Sequence, residues 1–314
     1  MKKNIQSAVA LFALTTFTQF TAIAVPPKKV DLRTKITSFN IPVKTQGSRN
    51  TCSVYATTFL LEYETAKVSN QPSIDFSEDY LNAVTDIVKG TKDDGDFFNN
   101  ILGGYLKFGI VDEADFPTST TTYSPLQLPS EALEQDGKNN VKFVPVYIRE
   151  IPASGNPWGL SDENINQIMA QLDAGRPVAA GWALGKSIES TKVLGVTAWS
   201  KNIIKTRDGF YGHSMAIVGY VGSPSEGGYF IIRNSGGADW GDKGYWYCTF
   251  DFAKHNIADV FYFTQRHREL SLRMPELIKT PVPSYIRLNA LRQIPTVMQP
   301  QNNLIILQKP GAKN

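Results

Sequence analysis

An excess of charge of one sign is nearly absent from this chain: 32 basic residues face 29 acidic ones over 314 residues, a formal net charge of +3. Such a balance gives no electrostatic ground for nucleic acid or an anionic membrane as partner. Long apolar runs are missing too, apart from the first residues. "MKKNIQSAVALFALTTFTQFTAIAV" sets Lys2 and Lys3 ahead of an uncharged stretch that ends in the small residues Ala22 and Ala24, the layout of a cleaved secretory signal. An uncleaved anchor is the alternative, but threonines and a glutamine interrupt the run, which is short for a span of about 20 consecutive apolar residues. Cleavage after Ala24 removes two lysines and no acid, leaving 290 residues with a formal charge of +1. That length and a hydrophobic content of 42% suit one large domain or two lobes in a soluble, exported protein.

Cysteine is scarce, with two in the chain, and histidine nearly so, with three. At most one disulfide is possible, between Cys52 and Cys248, and an oxidising compartment permits it. The competing reading is a reactive thiol at Cys52. "CSVYATTFLLEYETAKV" runs on as a helix of about four turns, although Thr57 and Thr58 lower its propensity, so Cys52 sits near a helix N-terminus. There the unpaired N–H groups and the positive end of the helix dipole favour thiolate over thiol. No internal repeat is visible.

Residues 120 to 140, rich in Thr, Ser, Pro and Asn and with little period, read as a crossing between two lobes. Next comes the clearest helix, "SDENINQIMAQLDAG": Ser161 as cap, Asp162 and Glu163 in the first turn, Ile165, Ile168, Met169 and Leu172 on one face, Gly175 as stop. From Pro177 the pattern changes to short apolar runs, "PVAAGWAL", "HSMAIVGYV", "YFIIRNSG" and "GYWYCTFDF", divided by Gly, Ser and Pro turns, which predicts an antiparallel sheet or barrel with Cys248 inside its last strand. The tail from Leu270 is proline-punctuated and reads as an extension over the surface.

A thiol hydrolase needs a thiolate, an imidazole, a group to orient that imidazole, and donors for an oxyanion. His213 opens an apolar strand, where a ring is held at a sheet end, whereas His255 and His267 stand among polar and charged residues. Asn234 follows 21 residues later, at the end of the next strand, and Gln46 precedes Cys52 by six. Core packing of these residues is the competing reading.

These segments resemble the papain-like cysteine peptidases. The likeness runs through "VDLR" (30–33), "PVKTQGSRNTC" (42–52), "FGIVDEADFP" (108–117), "GHSMAIVGY" (212–220) and "NSGGADWGDKGYW" (234–246). It implies an α+β, two-lobe papain-like fold over residues 30–269, with a mainly helical lobe at 25–125, a β-rich lobe at 126–269, a signal peptide at 1–24, a C-terminal extension at 270–314, and a cleft between the lobes. The resemblance makes Cys52 the nucleophile, His213 its imidazole partner, Asn234 the orienting group and Gln46 the side-chain donor of the oxyanion hole. It places Gly95, Asp96, Phe98 and Ser214 along the bound substrate, with core packing as the alternative for Phe98. The implied activity is thiol endopeptidase action on peptides or proteins by a secreted monomer, without metal or organic cofactor. A silent binding protein, or an acyltransferase or deamidase on the same scaffold, are the alternatives.

Departures accompany the likeness. Arg49 and Asp93 stand where relatives usually carry a bridged cysteine pair, so an Arg49–Asp93 ion pair is expected as a weaker substitute, two unrelated surface charges being the alternative. Ser53 replaces the tryptophan that usually follows the nucleophile. Gly236 replaces the one that usually covers the Asn and His contact, which is expected to admit water there, although Trp240 matches a second family tryptophan. Between Ala24 and Val30 lie too few residues for a long inhibitory N-terminal segment, so residues 270–314 are expected to pack on the body of the protein, either restricting the cleft or, as the alternative, simply bracing the fold.

Overall fold

The computed structural model describes residues 28–121, 129–152, 154, 156–203 and 210–266. The predicted signal, His267 and the C-terminal extension lie outside them. The elements in order are β1 (Lys29–Asp31), α1 (Arg33–Ser38), α2 (Cys52–Ser69), α3 (Glu78–Lys89), α4 (Phe98–Phe108), α5 (Glu131–Asn139), β2 (Phe143–Arg149), α6 (Asp162–Asp173), β3 (Val178–Gly185), β4 (Ser187–Val193), β5 (Val196–Ile203), β6 (Phe210–Ser223), β7 (Gly227–Arg233), β8 (Tyr245–Thr249), α7 (Phe250–Asn256) and β9 (Ile257–Gln265). This is the α+β arrangement the sequence led us to expect.

Among the described residues the strands form one nine-stranded sheet in the order β2-β9-β3-β6-β7-β8-β5-β4, with β1 paired to β6. Every pairing is antiparallel except β5 with β8, which meet in parallel at Trp199 and Cys248. Strand β6 is the spine: "SMAIVGYV" is buried from Met215 to Val221, as a strand covered on both faces must be. Helix α2 packs on β6, β3 and β9, with α3 and α4 beyond it. It is buried from Ser53 to Glu64 without a polar face, so it is the central helix of its lobe rather than an amphipathic surface one. Burying each of Leu60, Leu61 and Tyr63, none above 1% exposed, removes enough apolar surface to stabilise the fold by about 1.5–3 kcal/mol per large side chain.

Helix α6 forms where expected. The Ser161 hydroxyl accepts from Asn164 N–H while the Asn164 side chain accepts from Ser161 N–H, a reciprocal capping box, and Ile165, Ile168 and Leu172 are buried. Two local expectations need correction. The supposed aperiodic crossing contains α5, capped by the Ser130 hydroxyl and packed against α4. Its Gly137 lies so close to the Tyr80 hydroxyl and the Phe108 carbonyl that an added Cβ would come within 2.4 Å of both. The run "GYWYCTFDF" is strand only to Thr249, whose hydroxyl accepts from Phe252 N–H and starts α7.

Candidate active site

Cys52 is the first residue of α2. Thr51 before it makes no side-chain cap and no acidic residue occupies the first turn, so the helix N-terminus presents uncapped N–H groups to the sulfur. Both cysteines are free thiols, Cys52 partly exposed and Cys248 buried, so the disulfide alternative is absent from this structure.

The partner ring comes from the sheet. His213 lies in β6 opposite Trp182 of β3, and Asn234 directly follows the last residue of β7, its N–H held by the Gly244 carbonyl at 3.0 Å. His213 Nε2 is 2.7 Å from Asn234 Oδ1. With that nitrogen donating to the amide oxygen, Nδ1 is left for Cys52, to which the ring is hydrogen-bonded. Burial pushes the Cys52 thiol up, but the His213 charge and hydrogen bond, then the Ser214 N–H and hydroxyl, outweigh it and leave the thiol below its ordinary range. Burial likewise disfavours the imidazolium, yet Cys52 and the Asn234 hydrogen bond hold His213 above its usual value. Both shifts run in the direction that favours thiolate and imidazolium. Cys248, buried and remote from any such charge, is pushed far up instead.

Gln46 is oriented on three sides. Its N–H donates to the Ser235 carbonyl at 2.9 Å, its Oε1 accepts from the Ser235 hydroxyl at 2.5 Å, and its Nε2 donates to the Arg49 carbonyl at 2.6 Å. One amide hydrogen remains on that nitrogen. Gly95 has φ of +64°, and a Cβ there would sit 2.4 Å from the Asn50 carbonyl oxygen, so only glycine lets this backbone pass beside the loop that leads to Cys52.

Chain positions 26–263 match the family described as "Papain family cysteine protease". The chain belongs to that family. It is 27% identical over 233 residues to Cysteine proteinase 3 of Entamoeba histolytica, an alignment that takes in 71% of this chain and 63% of that protein's length. Two solved structures share the fold. Xylellain, a cysteine protease from Xylella fastidiosa, superposes with a TM-score of 0.58 at 19% identity, over 77% of this chain and 88% of that one. Digestive procathepsin L 3 of the Tenebrio molitor larval midgut gives 0.51 at 18%, over 79% and 72%.

Within this papain-family domain, other residues predicted to touch substrate have different surroundings. Phe98 is 2% exposed, its ring edge-on to Phe261 at 4.8 Å, which is the core-packing alternative. The Asp96 carboxylate accepts from Phe97 N–H at 2.6 Å and Asn100 Nδ2 at 2.9 Å and pairs with Lys89 at 2.7 Å, so its charge is already engaged. Ser214 lies in β6 opposite Gly181 of β3, and its N–H and hydroxyl favour the Cys52 thiolate. The Arg49–Asp93 pair is not formed: Arg49 is 4% exposed and binds Asp94 and Asp79, while Asp93 turns its carboxylate to Lys89 at 3.4 Å. Position 236 is flanked by Trp240, whose Cβ and Cγ would lie 3.2 Å from an added Cβ, with Asn234 Nδ2 at 3.4 Å; the ring of Trp240 thus stands near the space left by the missing tryptophan.

Sequence reasoning missed a buried charge cluster beneath these residues. Lys44 Nζ reaches Glu62 at 2.7 Å, Asp75 at 2.6 Å and Glu78 at 2.9 Å. With Tyr55, Ser214, Arg233 and Asn234, the Lys44, Glu62 and Glu78 side chains line a small, partly open pocket. Burial pushes Glu62 up and Glu78 up to about 8, against the pull of Lys44, the one cation that these two buried carboxyls and the more exposed Asp75 have in common. The sequence signal was available: Glu62 and Glu64 sit in an otherwise apolar part of α2.

Proposed function

We propose that the protein is a thiol endopeptidase working through Cys52, His213 and Asn234. The observation that carries this reading is the continuous chain from a helix-terminal sulfur to a β6 imidazole to the Asn234 amide oxygen. In the first half-reaction the Cys52 thiolate attacks the scissile carbonyl carbon. Negative charge moves to its oxygen, which accepts from the Cys52 N–H and the remaining Gln46 Nε2 hydrogen. As the C–N bond breaks, the His213 imidazolium gives its proton to the departing amine, leaving a thioester. Water then attacks that thioester, His213 takes the water's proton, and the acid product leaves as the thiolate reforms. Asn234 keeps the ring aimed throughout and transfers no proton.

Substrates in this proposal are peptides or proteins, laid along the Gly95 backbone and past Ser214. The N-terminal pattern supports export after cleavage at Ala24, and the protein acts as a monomer. Among the described residues no helix is long and apolar enough to cross a membrane. The decisive experiment treats purified protein with an epoxide directed at papain-type thiols. Modification of Cys52 but not Cys248, together with loss of peptide hydrolysis, is the expected result; a folded protein that takes no label and cleaves no peptide points to a silent binder. Mass analysis of the exported chain, with Val25 as the expected first residue, tests the export reading separately.

A further inference from the structure

Arg49 is bound through both its side chain and its backbone, and its two halves serve different neighbours. Its side chain is 3% exposed. Nη2 and Nε donate to Asp94 Oδ1 at 2.8 and 3.1 Å, and Nη1 donates to Asp79 and, at 2.7 Å, to the Ser119 carbonyl. Its main-chain carbonyl accepts the Gln46 Nε2 hydrogen at 2.6 Å, and its N–H donates to the Gln46 carbonyl at 3.3 Å. The guanidinium thus holds the 93–96 loop while the backbone of the same residue holds Gln46. Smaller contacts run in parallel: Gly95 N–H donates to Asn82 Oδ1 at 2.8 Å, and Asp96 N–H to the Ser53 hydroxyl at 3.2 Å.

We propose that Arg49 is a positioning residue that sets the distance between the Gln46 amide and the Gly95 backbone, locking the oxyanion donor and the substrate-bearing loop to each other through one side chain. This rests on the roles given to Gln46 and Gly95 above. The planar guanidinium suits the task because it meets one carboxylate side-on while its other nitrogen reaches a second carboxylate and a carbonyl; an ammonium has neither the reach nor the fork. Since both cysteines are free thiols, the lock is indifferent to reductant. It is also far stronger than an exposed ion pair, because removing the cation leaves two mostly buried carboxylates, Asp79 and Asp94, without it.

The test compares R49A, R49K, D94N and R49A/D94N for kcat and KM on one peptide, for alkylation of Cys52 by iodoacetamide, and for amide hydrogen exchange. R49A is expected to lower kcat/KM by about tenfold to a hundredfold, with kcat falling and KM rising, because both an oxyanion donor and the substrate loop lose their anchor. D94N should raise KM with a smaller loss in kcat, R49K should recover only part of the loss, and the double variant should be no worse than R49A. Cys52 alkylation should stay within about twofold of the parent in each, since the imidazole is untouched. Exchange should quicken at residues 46–52 and 93–97 while β6 and β7 keep their protection. Wild-type kcat and KM in a folded R49A overturn the proposal, as does unchanged exchange in those two loops. If R49A does not fold, R49K and D94N carry the same two readouts. Should the parent cleave no peptide at all, the peptidase reading falls and hydrogen exchange alone judges the lock.

Discussion

The two sides of the candidate site are built from different materials. On the helical side, Arg49, Lys44, Glu62, Glu64, Glu78 and Asp86 are buried or nearly so, and the loops beside Cys52 are held by charge-assisted hydrogen bonds. On the sheet side His213 and Asn234 follow from strand register, with Met215, Ala216, Ile217 and Val218 at 1% exposure or less directly beyond the histidine. A helix terminus and two irregular loops have no ladder to fix them, so side-chain hydrogen bonds must do it. A strand inside a nine-stranded sheet needs no such help. The helical side is therefore the more sensitive to single charges, and the sheet side, which still buries Arg233 and Asp259, the more sensitive to packing volume.

The largest effects should come from the reacting groups where the two sides meet. Cys52→Ala is expected to abolish peptide hydrolysis and His213→Ala to cost about 10²–10⁴-fold in kcat/KM, the usual range for a proton-transferring residue. Removal of the other thiol, Cys248→Ala, should leave the rate unchanged. Asn234→Ala should cost less than His213→Ala, because the amide orients the ring; equal and complete loss in two folded variants would contradict that division of roles. Peptide kinetics on the four proteins settles the order.

Stability should then separate the two sides. Lys44→Met leaves Glu62 and Glu78 buried without their cation and is expected to destabilise the fold by about 3–5 kcal/mol in urea unfolding, the range for breaking a buried pair from one side. A comparable shortening on the sheet side, Ile217→Val, should cost only about 0.5–1.5 kcal/mol. Reversal of that order would remove the contrast between the sides.

The smallest effect concerns pH. Glu78 holds its proton in the native state up to about 8, against an ordinary value near 4.5. Between those values the folded protein binds more protons than the unfolded one, so this group makes stability fall as pH rises through that window. Glu78→Gln should flatten this decline in urea midpoints measured from pH 5 to 8. An equal slope in the variant would assign the pH dependence to other groups, of which Asp259, raised by burial to about 7, is the sheet-side candidate.

How much of this was legible in the sequence follows the same division. His213 and Asn234 could be read because each sits at the end of an apolar run whose strand character is local. Cys52 and Gln46 were legible from the family-like order of their flanks. Arg49 was recognised as standing in for a bridge, yet its partner was assigned one residue early, because counting along the "DDGD" loop does not say which carboxylate turns inward. Helix α5 escaped notice since Gly137 is its one buried residue and no apolar stripe marks it. The β4–β5 hairpin escaped for a related reason: β4 is mostly exposed, and its turn places both Leu194 and Gly195 at positive φ, 44° and 88°, without the Asn-Gly pair that usually announces such a turn.

The proposed function depends on one state, a Cys52 thiolate on the helical side against a protonated His213 ring on the sheet side. The most direct test is the rate of Cys52 alkylation by iodoacetamide against pH, in the parent protein and in His213→Ala. In the parent, alkylation should set in well below the ordinary thiol range and hydrolysis should follow a bell, rising as Cys52 ionises and falling as His213 loses its proton. Loss of the imidazole should carry the onset of alkylation up toward about 8.5, where an unassisted thiol ionises. Superimposable alkylation profiles for the two proteins would contradict the account.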